Sequence, residues 1–110
     1  MSDFSDFESA IISGAKGLAQ GTLTGFVTEA ENDAKSFLTQ AAADLQQWTS
    51  QLQAGQLTQD DFTDLVNGDK DLARLDALTQ AGIALAEVQR FRDALINLVI
   101  NAAFTAFLPK

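Results

Sequence analysis

The sequence contains no histidine, no cysteine and no tyrosine, and its one proline, Pro109, is the penultimate residue. Without histidine and cysteine the chain cannot form a zinc finger, a disulfide scaffold, a thiol nucleophile or a histidine-based catalytic triad. Basic residues are also few, since seven lysines and arginines stand against fifteen acidic residues and give a formal net charge of −8. Because a chain this acidic is repelled by phosphate backbones, we do not expect nucleic acid as a partner.

The chain is nevertheless rich in apolar residues, which make up 46% of its 110 positions and are typical of a globular protein. We therefore expect a single all-helical domain over residues 1–110. The first eight residues include three acids, whereas a secretory signal begins with basic residues. The localisation predicted from this is cytoplasmic, or outside the cell by a route that needs no cleaved signal.

Apolar residues recur with the period of an α-helix along the first half of the chain. From Leu23 to Leu52 they are spaced three or four apart, with a mean of about 3.6 residues. Gly55 follows as a suitable helix terminator. The pattern predicts a first helix at about 6–54, and a break at 14–25 is the alternative.

Two further helices are predicted after Gly55. Thr58 is a suitable N-cap for a second helix at about 59–67, which Gly68 ends. Asp69 is positioned to cap a third helix at about 70–108, which continues without interruption to the proline. No segment of useful length alternates as a strand would, so the predicted fold class is all-α.

The predicted arrangement is a long helical hairpin in which the short second helix forms the turn. Such a hairpin buries only one side of each long helix, whereas stable bundles place three or four helices around a core. One solution is that the first helix breaks at its glycines and the chain forms a bundle by itself. The other, which we expect, is that oligomerisation completes the bundle.

Four glycines follow one face of the predicted first helix: Gly14, Gly17, Gly21 and Gly25. Each costs about 1 kcal/mol relative to alanine in a helix interior, or roughly 4 kcal/mol together, so some gain must offset them. We expect that gain to be close packing of another helix, and this spacing resembles the glycine zippers of channel and membrane-inserting proteins. The alternative is a flexible or kinked start to the helix.

The C-terminal segment 94–108 carries no charge, and its polar residues form one narrow stripe of Asn97, Asn101 and Thr105. A helix that is apolar over most of its circumference requires burial on most sides, which we expect neighbouring subunits to provide. The asparagines would then fix the register between subunits. Alternatively, the stripe faces water and the rest forms the core of a monomer. The predicted self-association residues of this helix are Leu95, Asn97, Val99, Asn101, Phe104 and Thr105.

Carboxylates around the central turn do not follow the pattern of a metal site. Placing Gly68 at the glycine position of an EF-hand loop puts Thr63 and Leu65 where calcium ligands belong. Helix capping explains these acids better. We therefore predict no catalytic residue, no metal and no cofactor.

These features predict a non-enzymatic structural protein that assembles with further copies of itself. The assembly would be either a small oligomer or a filament or tube. One alternative is a membrane-active or pore-forming protein that converts from a soluble form and inserts its two segments of low charge, 9–28 and 94–108. The net negative charge of the chain argues against attraction to anionic lipid. A third possibility is an adaptor or inhibitor that binds a different protein.

Overall fold

A computed structural model describes residues 4–107 of the chain. In this part the chain forms five α-helices and one short 3-10 helix and contains no strand, which confirms the all-α prediction. The α-helices are α1 (Phe4–Thr22), α2 (Val27–Gln53), α3 (Gln59–Gly68), α4 (Asp76–Gln80) and α5 (Leu85–Phe107), and the 3-10 helix, η1, is Lys70–Leu72. Leu108, the last residue of the predicted third helix, lies outside the described residues.

The first predicted helix is not continuous from 6 to 54, because the chain turns at residues 23–26. Gly25 has a φ of +94°, a conformation that residues with a Cβ rarely adopt. The break therefore falls at the C-terminal edge of the interval 14–25. It divides the predicted helix into α1 and α2, and α1 folds back to pack against α2.

The predicted uninterrupted helix at 70–108 is also wrong, since the chain is interrupted twice before α5 begins. Leu75 adopts the left-handed conformation, with φ 56° and ψ 46°. This conformation costs a residue other than glycine roughly 1–2 kcal/mol. The Leu75 side chain is only 2% exposed, so its burial offsets the strain. Gly82, with a φ of +90°, forms the second turn.

The core lies between the three long helices α1, α2 and α5, with α3 covering a further side of α5. The break at Gly25 thus lets one chain place three long helices around this core, and completion of the bundle by a second copy stays a prediction. The buried residues of α1 are Phe7, Ile11, Ala15 and Ala19. The buried residues of α5 are Val88, Phe91, Leu95, Ile96, Val99, Ile100, Ala103 and Phe107.

Two aromatic contacts fix α5 against its neighbours. The rings of Phe7 on α1 and Phe107 on α5 meet edge to face, with centroids 5.4 Å apart and planes at 69°. Phe62 on α3 contacts Phe104 on α5 at a centroid distance of 5.8 Å. The first contact shows that the start of α1 meets the end of α5, so these two helices are antiparallel.

The turn between α2 and α3 forms as the sequence predicts. Gly55 has a φ of +78° and follows the end of α2. The Thr58 hydroxyl accepts a hydrogen bond from the Asp61 backbone N–H at 3.0 Å, which confirms Thr58 as the N-cap of α3. In contrast, Asp69 makes no capping hydrogen bond to η1, so the prediction that it caps the following helix is wrong.

Candidate interaction surface

The helices α1 and α5 come into close contact where Gly14 faces Leu98. A Cβ on Gly14 would lie 2.7 Å from each δ-methyl carbon of Leu98, which is closer than carbon atoms can approach. The absent side chain therefore makes room for leucine. Close helix packing thus does occur at one position of the glycine series, and it occurs within a single chain.

Beside this contact the two helices leave an open groove, which we name the α1–α5 groove. One part, with a volume of about 430 Å³, is lined by Asp6, Phe7, Ala10, Leu98, Asn101, Ala102, Thr105 and Ala106. The other part, of about 460 Å³, is lined by Gly14, Gly17, Leu18, Ala94, Asn97, Leu98 and Asn101. Leu98 and Asn101 line both parts, so the two parts adjoin along α1 and α5.

The walls of the groove carry little charge on a protein whose net charge is −8. Residues 9–28 include one charged side chain, Lys16, and residues 94–107 include none. Charged side chains lie at or beyond the two ends of the groove instead. Asp6 lines one end, and beyond the other end Arg90 pairs with Glu87 at 2.6 Å between Nη1 and Oε1.

Half of the predicted self-association residues come together in this groove. They are Gly14, Gly17, Asn97, Asn101 and Thr105. The asparagine side chains are exposed. The Thr105 hydroxyl donates to the Asn101 carbonyl of its own helix at 3.0 Å. The glycines predicted on α1 and the polar stripe predicted on α5 are therefore two sides of one surface.

The other predicted residues lie elsewhere. Leu95 and Val99 are 0% exposed and belong to the core of the single chain. Phe104 is partly buried against α3. Gly21 is exposed on α1 but does not line the groove, and Gly25 is in the turn between α1 and α2. A second copy could reach Leu95 and Val99 only if the core opened.

Eight residues that line the groove are not among the predicted self-association residues: Asp6, Phe7, Ala10, Leu18, Ala94, Leu98, Ala102 and Ala106. Ala10 and Ala94 are small apolar residues of a kind found in any helix interface. Leu98 follows Ala94 by four positions and precedes Asn101 by three, so helical spacing alone could have placed it beside the polar stripe. Its pairing with Gly14 depends on the antiparallel packing of α1 and α5, which the spacing within one helix does not encode.

Within residues 4–107, no group of three or more acidic side chains is arranged to hold a metal ion. In the same range no helix has both the length and the apolar character that crossing a membrane requires. No family model matches the chain, and no curated protein or solved structure matches it either.

Proposed function

We propose that this protein is a non-enzymatic helical structural protein that self-associates through the α1–α5 groove. One observation carries the proposal: the groove is a nearly uncharged surface, lined by small residues and amides, on a strongly acidic protein. Two copies of a chain with a net charge of −8 repel each other at most orientations. They approach with least repulsion where the negative charge is absent.

The lining of the groove favours helix-to-helix contact. An added Cβ on Gly17 would meet no atom within 4 Å, so a helix of a second copy has room to approach the α1 backbone there. Two copies related by a twofold axis would pack α1 and α5 of one against α1 and α5 of the other. The contact would then be a four-helix arrangement, which is a common solution for helix faces.

The exposed amides suit an identical partner. Asn97 and Asn101 each offer both a donor and an acceptor, so the same residue of a second copy can satisfy them across a twofold axis. A charged partner would leave these amides less well matched. Since the large apolar residues Leu95 and Val99 are used inside the chain, we expect a micromolar and not a nanomolar dissociation constant.

Gly17→Leu is the variant that tests this surface. Gly17 is exposed and has open space around it, so leucine leaves the single chain folded while it fills the groove. Gly68→Leu is the matched control, because Gly68 is also an exposed helical glycine with open space and does not line the groove. Sedimentation over the micromolar range should find wild type and Gly68→Leu associated, with Gly17→Leu at the mass of one chain.

Two results would overturn the proposal. One is a wild-type protein that sediments as a single chain throughout the micromolar range, which would leave a different protein or a membrane as the partner. The other is a Gly17→Leu protein that associates as strongly as wild type. Circular dichroism of both variants distinguishes a loss of association from a loss of fold, since leucine raises helix propensity at either position.

A further inference from the structure

Two residues of opposite charge lie at opposite ends of the α1–α5 groove. Asp6 lines the end formed by the start of α1. At the other end Arg90 lines a smaller cavity of about 140 Å³, which adjoins the groove because Leu18 and Ala94 line both. The Arg90 side chain is 75% exposed and that of its ion-pair partner Glu87 is 41% exposed, so the guanidinium is the outer member of the pair.

Asp6 and Arg90 are equally far from the close contact between Gly14 and Leu98. Asp6 precedes Gly14 by eight residues, and Arg90 precedes Leu98 by eight. Eight residues span roughly 12 Å along a helix. Because α1 and α5 are antiparallel, the two intervals run in opposite directions from the contact and separate Asp6 from Arg90 by roughly 24 Å along the groove. The two residues therefore do not pair within one chain.

The Gly14–Leu98 contact thus marks the middle of a surface with a carboxylate at one end and an exposed guanidinium at the other. A twofold axis through this contact, perpendicular to the groove, would bring Asp6 of one copy level with Arg90 of the other. Opposite charges would then face each other at both ends. A twofold axis along the groove would instead bring each residue to its own counterpart, and like charges repel.

We propose that Asp6 of one copy pairs with Arg90 of a second copy, and that this pair, formed twice across the twofold axis, fixes an antiparallel register between them. The inference rests on the proposed self-association and adds its geometry. A carboxylate accepts from several donors, so Asp6 can accept from the arginine in addition to any contact in its own chain. The guanidinium keeps Glu87 on Nη1 and donates to the second copy from another nitrogen.

Charge reversal at the two positions tests this pair. Arg90→Glu and Asp6→Arg each make both contacts between identical copies repulsive, so each variant alone should associate about tenfold more weakly than wild type. When the two variants are mixed, both contacts in the mixed dimer are attractive again. The mixture should therefore associate within about threefold of wild type. Sedimentation at about 0.15 M salt, which screens exposed charges farther apart than roughly 8 Å, measures these affinities.

Arg74→Glu and Asp60→Arg are the matched controls. Both residues are exposed and do not line the groove, and Asp60, like Asp6, is in the first turn of its helix. These controls make the same changes in net charge and should associate within about threefold of wild type. Reversals at Asp6 or Arg90 that associate as strongly as wild type would overturn the proposal. So would a mixture that stays as weak as its two components, or one that binds more tightly than wild type, which the parallel arrangement predicts.

Failure of this register is distinguishable from failure of the proposed function. Wild type that remains a single chain contradicts both. Wild type that associates and is blocked by Gly17→Leu, but does not respond to the charge reversals, contradicts the register alone.

Arg90→Lys gives a second measurement, which decides if Asp6→Arg does not fold by circular dichroism. A carbodiimide should join the introduced amine to Asp6 in a covalent dimer, since the two positions are roughly 24 Å apart within one chain. Mass spectrometry of the cleaved dimer identifies the linked residues. A product in which positions 6 and 90 are not linked would contradict the proposed pair.

Discussion

Asp33 makes the most distant side-chain hydrogen bonds among the described residues. It is 5% exposed on α2, and its two carboxylate oxygens accept from the backbone N–H groups of Ala77 and Leu78, each at 2.9 Å. Leu75, which precedes α4, has no side chain that could cap that helix. Asp33 thus performs the role of an N-cap from another helix and secures the chain between η1 and α5.

Replacing Asp33 with alanine should therefore be strongly destabilising. The buried N–H of Leu78 and the partly buried N–H of Ala77 would lose their acceptors, and we expect the free energy of unfolding to fall by about 3 kcal/mol. Asp33→Asn keeps one acceptor oxygen and should lose about half as much. Urea denaturation measures both changes. The exposed neighbour Asn32 provides the control, since Asn32→Ala should change stability by less than about 0.5 kcal/mol. Equal stability of the two alanine variants would contradict this role of Asp33.

At the scale of elements, the sequence predicts best those features whose signals are local. Gly55 and Thr58 were identified correctly because a helix end and an N-cap depend on residues within one turn. The break before α4 could not be predicted in this way. It depends on a left-handed Leu75 whose strain is offset by burial and on capping by Asp33, more than forty residues earlier in the chain.

The glycines of the first predicted helix have three different roles, although their spacing makes them look equivalent. Gly14 makes room for Leu98, Gly25 forms a turn, and Gly17 has open space around it. The spacing predicts a common helix face but not which glycine is required by the fold. This explains why the spacing groups Gly14 and Gly17, which line the groove, with Gly25, which lies in a turn.

The stabilities of two alanine variants should consequently change in opposite directions. Gly25→Ala forces a Cβ into a backbone with φ +94° and should destabilise the protein by about 1–2 kcal/mol. Gly17→Ala places the same methyl group in open space within a helix and should stabilise it by about 1 kcal/mol. Thermal or urea unfolding at low protein concentration measures both. Changes of the same sign would mean that the turn at 23–26 is not required by the fold.

For the whole molecule, the decisive feature is that the apolar face of α5 is covered by α1, α2 and α3 of the same chain, while its polar stripe lines the groove. The sequence correctly indicates that the apolar segment 94–108 needs walls on several sides, but its pattern does not specify whether those walls belong to the same chain. The turn at Gly25 brings α1 against α5, so α1 of the same chain supplies one of those walls. Self-association through the α1–α5 groove would then join finished bundles and would not be needed to complete them.

Folding and association should therefore be separable. If oligomerisation completed the core, dilution below the dissociation constant would unfold the chain, because Leu95 and Val99 would lose their cover. Since both residues are 0% exposed within one chain, we expect the diluted protein to keep its helical circular dichroism while its sedimentation falls to that of one chain. Gly17→Leu should have the same helix content at every concentration. A loss of helical signal that accompanies dissociation would instead show that the bundle depends on a second copy.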